Sequence, residues 1–167
     1  MADYTRGEVI EIVHKLRKAD LQGVDLRGIN LAGVILHQAN LSGANLSGAK
    51  LYHAGLEYVD FRRANLSGAD LIGAKLSGAN LREADLSGAN LRGSDLSRAN
   101  LRKAVLIRTK LFRTNLRNAK LQKAGLIRAD LIGAYLRRAD LRGARYDKNT
   151  QFPDDFDPEA AEMVLKE

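Results

Sequence analysis

Every fifth residue from Leu21 to Leu141 is leucine except Phe61, which makes 25 positions in unbroken register. That regularity excludes both ordinary secondary structures. Steps of five on an α-helix rotate by about 140°, which scatters the leucines around the cylinder and buries no stripe. On a straight strand an odd step alternates faces, so half of them would point at water. Only a chain that turns a corner once per repeat can bury them all.

The rest of the pentad says how the corner is made. Two residues before each leucine stands a small or branched residue, mostly alanine (Ala39, Ala44, Ala49, Ala64, Ala69 and onward), and Asp or Asn is favoured between them. In a short extended segment the Ala and Leu side chains point inward together while the residue between them points out. The next two residues, often Ser-Gly, form the corner. Glycine holds the second corner position in 12 of the 25 pentads, from Gly23 to Gly143, and a type II turn needs positive φ there. From Arg98 through Arg128 seven consecutive pentads lack it. The sequence therefore predicts type II corners mostly in 21–95 and other turns between about 96 and 130.

A narrow shaft lined by Leu and Ala seldom admits a ring, which accounts for an aromatic content of only 5%. Phe61, with Val59 beside it, is the exception and is predicted to bulge locally. Val24, Ile29 and Val34 put bulk in the small position of the first coil.

The consensus Ala-(Asp/Asn)-Leu-x-x, as in Ala39-Asn40-Leu41-Ser42-Gly43 and Ala84-Asp85-Leu86-Ser87-Gly88, resembles the pentapeptide-repeat family from about residue 19 to 145. The stretch Y-D-K-N-T-Q-F-P-D-D-F-D-P from Tyr146 to Pro158 is similar to the ending of many cyanobacterial members. The resemblance implies an all-β fold, a right-handed quadrilateral parallel β-helix with four pentads per coil. About six coils at ~4.8 Å each give a rod of ~30 Å. The open ends of such a solenoid need caps. Thr5-Arg-Gly-Glu8 has capping-box spacing before Val9, Ile10, Ile12, Val13 and Leu16, so 5–18 is expected to be an amphipathic helix over the first coil. Tyr146, Phe152 and Phe156 gather near the other end, and Asp157-Pro158-Glu159 reads as the N-cap and first positions of a second short α-helix through about Lys166. The expected organisation is one domain: an N-terminal capping helix (1–18), a repeat body (19–146) and a C-terminal cap with a short helix (147–167).

The absence of cysteine removes disulfides, thiolate nucleophiles, iron–sulfur clusters and Cys-ligated zinc, and three scattered histidines offer little to metals. No cofactor, metal or catalytic residue is expected. Acids near Met1 and the lack of any run approaching ~20 apolar residues point to a cytoplasmic chain without a membrane role. The net charge of +7 is unevenly spread. Residues 1–91 carry 10 Lys/Arg and 10 Asp/Glu, residues 92–146 carry 15 and 3, and residues 147–167 carry 2 and 7.

Four pentads per coil place residues 20 apart on one face, so outward ladders can be read directly. His37, Glu57, Ser77 and Ser97 share one. They do not make a catalytic triad, because the acid separates the base from the nucleophile and a flat wall supplies no oxyanion donors. A second ladder carries Arg62, Arg82, Arg102, Gln122 and Arg142, with Arg63, Lys103 and Lys123 alongside. It is a candidate phosphate-contacting basic stripe, although no aromatics interleave to stack on bases. A third stacks Tyr52, Ile72, Arg92, Phe112 and Ile132, and the neighbouring column adds Ile107 and Ile127. Outward apolar residues in a row make Tyr52, Ile72, Phe112 and Ile132 a candidate partner face.

Several proteins of the resembled family are DNA mimics that occupy the DNA site of a type II topoisomerase such as DNA gyrase. The rod would carry over, but a mimic presents acids where DNA has phosphates, and 92–146 presents an excess of cations. The expected function is therefore a non-enzymatic structural or interaction scaffold with an unknown protein partner along one face. Nucleic-acid binding through 92–146 is the alternative, and gyrase mimicry ranks third. A monomer is expected rather than a dimer, because 146–167 reads as a complete lid.

Overall fold

The computed structural model describes residues 16–166. The N-terminal helix expected over 5–18 lies almost wholly outside the described residues. Where they begin, the repeat is already in register. The amide of Ala19 donates to the Leu16 carbonyl and Lys18 has φ 57°, which is the geometry of every later corner.

Each pentad is built from the same two backbone devices, and those with Asp or Asn add a third from the side chain. The residue three after each leucine donates to that leucine's carbonyl and closes a four-residue turn, as Ala44 does to Leu41 at 3.1 Å. The second corner residue has positive φ in all 25 pentads, and the first has not. A closed turn with only its third residue left-handed is type II. Arg98, Lys103, Arg108, Arg113, Asn118, Lys123 and Arg128 adopt it with φ between 54° and 60°, so the other turn types expected at 96–130 do not occur. A left-handed L-residue costs roughly 1–2 kcal/mol. The cost is met between coils: from Arg98 to Lys123 each of these amides donates to a carbonyl of the next coil, Arg98 to the Arg117 carbonyl at 2.9 Å for example, and the Arg128 amide donates to the Asp147 side chain. Exposed Arg98 is thus a place where glycine should help. Arg98→Gly is expected to raise stability by about 0.5–1 kcal/mol in urea titration, since the left-handed strain relieved exceeds the added chain entropy.

The third device explains the Asp/Asn preference. Their Oδ1 accepts the amide two residues on, as Asn65 does from Ser67 at 3.0 Å and Asp85 from Ser87 at 2.9 Å. That amide, on the first corner residue, is the one the coil ladder leaves unpaired.

Coils stack in parallel at a spacing of twenty residues, with bridges Asn45↔Asn65, Asn65↔Asp85 and their equivalents on all four walls. The molecule is mostly strand-like and β-helix-like, with almost no helix among the described residues. Leucines from Leu36 to Leu131 are at most 1% exposed, and the small-residue column from Ala39 to Ala129 is equally closed. Phe61 is the largest wholly buried side chain. It causes no bulge. Its amide donates to Asn80 at 2.8 Å and the Asn40↔Asp60↔Asn80 register is unbroken around it. Ser94, Thr109 and Thr114 replace alanine in the shaft, and their hydroxyls donate to the Leu91, Leu86 and Leu91 carbonyls at 2.7–2.8 Å. At the other end Leu21, Leu26 and Leu31 are half-buried and Val24 is 36% exposed.

No α-helix forms over 157–166. Asp157 caps the amides of Glu159 and Ala160, but the turn it starts stops at once. Met163 donates to Pro158, Glu162 donates to Glu159, and Glu162 sits at φ 54°, so a helix-terminating motif follows after a single turn. The chain then re-enters the solenoid. β1 (Arg145–Tyr146) pairs in parallel with β2 (Val164–Leu165), and Asp130 pairs with Gln151. That last step is 21 residues rather than 20, because one extra residue is accommodated in the Tyr146–Thr150 turn. The cap is therefore an irregular further coil. Phe152 lies 5.5 Å from Tyr146 and 5.1 Å from Phe156 between ring centroids, and Phe152, Phe156 and Met163 pack on the shaft's end.

Candidate functional site

The two ladders singled out by sequence are each assembled by the stacking, but neither is continuous in chemistry. Gly33, His53, Gly73, Gly93 and Arg113 donate to the carbonyls of Tyr52, Ile72, Arg92, Phe112 and Ile132, which puts the apolar candidates on one corner. Tyr52, Ile72 and Ile132 are 36–42% exposed. Phe112 is not free, since the guanidinium carbons of Arg92 and Arg113 lie 5.8 and 5.1 Å from its ring centre. The row is thus broken into Tyr52–Ile72, a cation–π cluster and Ile132.

Four of the six cations of the basic stripe are engaged. Arg62 pairs with Asp60 at 2.7 Å, Arg142 with Asp140 at 2.6 Å, and Glu83 takes Arg82 at 3.1 Å and Lys103 at 3.9 Å. Arg102 and Lys123 have no such partner among the described residues. The Arg142 guanidinium holds the Asp140 carboxyl well below the usual range, and Arg63 with Arg82 lowers Glu83 likewise. In the remaining ladder His37 Nε2 meets Glu57 Oε2 at 2.5 Å. Their contact fits because residue 55 is glycine, where a Cβ would come within 2.9 Å of the imidazole.

The most developed concavity lies on another corner, in an open trough of about 1200 Å³ near the C-terminal end. Its floor is Val105, Ile107, Gly125, Ile127 and Leu165. Cations stand around it: Arg108, Arg128 and Lys148 in one column, Arg145 and Lys166 at the end. The wall column that reads Asp25, Asn45, Asn65 and Asp85 lower down becomes Val105, Gly125 and Arg145 here. Two things follow from that change. The floor loses its polar side chains, and the amides of Ile107 and Ile127 lose the Oδ1 acceptor that serves Ser47, Ser67 and Ser87 below them. Neither amide has a protein acceptor among the described residues.

Gly125 is not there for its backbone. Of the described glycines only Gly55 and Gly125 lie outside the left-handed corners. A Cβ on Gly125 would meet just the Arg145 Nη2, at 3.9 Å, so the missing side chain leaves an open dent. Ile107 and Ile127 were visible in the sequence as outward apolar residues. The change at 105, 125 and 145 was legible as a break in the Asp/Asn ladder, whereas Leu165 and Lys166 were hidden by the expectation of a helix.

Asp147 anchors the trough's far end. Its Oδ1 accepts the Arg128 amide at 2.9 Å and the Thr150 hydroxyl at 2.8 Å, in place of a backbone rung. Partial burial pushes its carboxyl up, but donation from the Arg128 amide, the Thr150 hydroxyl and Asn149 outweighs this and holds the pKa at about 2. A lowered folded-state pKa means that the stabilisation is complete above the ordinary value of 3.8 and is lost as pH falls through about 2. Acid titration of Asp147→Asn should accordingly be flatter than wild type between those values. The two proteins should converge in stability below them.

The pentapeptide-repeat family model matches residues 15–52, 44–82, 79–118 and 109–145. Among solved structures the chain is similar to alr5209, a pentapeptide repeat protein from Nostoc Pcc 7120, at 30% identity over 97% of this chain and 96% of that one, with a TM-score of 0.31. HetL, a pentapeptide repeat protein involved in heterocyst differentiation regulation from Nostoc sp. strain PCC 7120, is 24% identical over 98% and 94%, with a TM-score of 0.33. QnrB1, a plasmid-mediated fluoroquinolone resistance protein, is 19% identical over 91% and 84%, with a TM-score of 0.47. No curated protein matches the chain.

Proposed function

The chain belongs to the pentapeptide-repeat family, and from that premise we propose that it is a non-enzymatic, cytoplasmic interaction scaffold binding a protein partner along one face of a right-handed rod of about six coils. The observation that carries this reading is the trough: an apolar lining flanked by cations, on a wall column that lower down carries Asp25, Asn45, Asn65 and Asp85. An apolar patch on a rigid rod that costs nothing to preorganise is a surface for a macromolecule.

Nucleic-acid binding through 92–146 is favoured by the 15 cations against 3 acids there. It is weakened by the pairing of the basic stripe and by a trough that holds no aromatic to stack on bases. A phosphate-binding surface loses affinity steeply as salt rises. No binding of DNA or RNA even at low salt would remove that alternative. Gyrase mimicry is disfavoured by the same cations, and an absence of inhibition in supercoiling assays at excess protein would dispose of it.

The scaffold reading is tested by affinity capture from the native cell with the intact protein and two variants. One makes Tyr52, Ile72, Phe112 and Ile132 polar, and the other carries Ile107→Asp with Ile127→Asp. A specific partner should be lost in the second and retained in the first. Identical recoveries with all three proteins would sink the reading.

A further inference from the structure

Resting on the scaffold reading, we propose that the occupant of the trough is an extended acidic peptide segment, about six residues long, carrying aliphatic side chains between its carboxylates. Length comes from the fold. The lining residues descend in twenty-residue steps through Ser87, Ile107, Ile127 and Asp147 and then, by a shorter step, to the 165–166 level, so at ~4.8 Å per coil the trough runs about 20 Å along the rod. An extended chain covers that distance in about six residues at ~3.3 Å each. The trough is half open to solvent rather than enclosed, which suits a chain lying in it better than a small molecule that needs most of its surface covered.

Chemistry comes from three features of this corner. Val105, Ile107, Gly125 and Ile127 form an apolar lining that receives aliphatic side chains, with open room above Gly125. The unaccepted amides of Ile107 and Ile127 stand one coil apart and donate to carbonyl or carboxylate oxygens. Arg108, Arg128, Lys148, Arg145 and Lys166 line it with five positive charges, and the one carboxylate among the lining residues, Asp147, takes the Arg128 guanidinium at 3.8 Å as well as the Arg128 amide and Thr150, which leaves four cations in excess. Donors without acceptors and cations in excess select an acceptor-rich, anionic partner. The aliphatic floor and the absence of any ring exclude base stacking and favour peptide over single-stranded nucleic acid.

The test uses the full chain and a fluorescein-labelled peptide Asp-Leu-Glu-Ile-Asp-Leu, read by anisotropy. Two control peptides replace its acids by Asn and Gln, or its Leu and Ile by Ser, and oligo-dT serves as a polyanion without aliphatic groups. The acidic aliphatic peptide should bind. Each control should bind at least about tenfold more weakly. Gly125→Gln fills the dent at ordinary backbone geometry and should weaken binding about tenfold with an unchanged melting temperature, as should Arg108→Gln with Arg128→Gln. The inference is overturned if the peptide does not bind, if the neutral peptide or oligo-dT binds as well, or if Gly125→Gln behaves as wild type. Capture from the native cell separates the two levels. A partner that depends on Ile107 and Ile127 but has no acidic segment leaves the scaffold and removes the acidic peptide, whereas capture indifferent to both residues removes both.

Discussion

Phe61→Ala is expected to cost about 3–5 kcal/mol of stability in urea unfolding, the upper range for a single core truncation. The ring is wholly buried in a shaft walled on four sides. Relief of the cavity would require neighbouring coils to approach, and the ladder forbids that: Asp60 is bridged to Asn40 on one side and Asn80 on the other, with rungs of 2.8–2.9 Å. Leu41 and Leu81, its stacked neighbours, are themselves closed off from every other direction. The void therefore stays largely open, and its cost adds to the lost transfer energy. Phe61→Leu restores the residue found at the other 24 positions and should cost only about 1 kcal/mol. If Phe61→Leu instead raised stability, the ring would be overpacked, as the bulge expected from sequence implied.

The interior was legible because burial imposes a period, and Leu with Ala two residues earlier displays that period without exception in direction. The corners were misread for a physical reason. Missing glycine at Arg98 to Arg128 suggested another turn, yet each such residue is held by its turn closure and by its amide's bond to the next coil, and together these outweigh the left-handed preference of any one residue. The C-terminal segment shows the converse error. Asp157-Pro158 does start a helical turn, but its termination at Glu162 carries no glycine to announce it. What ends the turn is a gain elsewhere, namely the pairing of Val164 and Lys166 with Ala144 and Tyr146, which no local pattern shows. The trough inherits both kinds of legibility. Its floor is written in the ladder at 105 and 125, while its far wall depends on a strand that local signals called helix.

Deleting residues 147–167 is expected to raise the association state in light scattering above that of the full chain at the same concentration. The cap supplies the Gln151 carbonyl to Leu131, the Glu162 carbonyl to Gly143, and the amides of Val164 and Lys166 to Ala144 and Tyr146. Phe152, Phe156 and Met163 cover the shaft's last leucines. Without them the terminal coil exposes an apolar layer ringed by unpaired strand edges, which a second copy satisfies by adding its own open coil. One stretch of edge is already open in the native molecule, since the amides of Gly133, Leu136, Arg138 and Leu141 have no backbone partner among the described residues. The exposed Arg137 and Arg138 stand in its middle, so like charges oppose pairing there. Truncation removes that restraint by opening the remaining walls, where Leu126, Leu131 and Leu141 supply the attraction. A truncated chain with the same association state and melting temperature as the full chain would show that the charged edge, rather than the cap, limits pairing at this end.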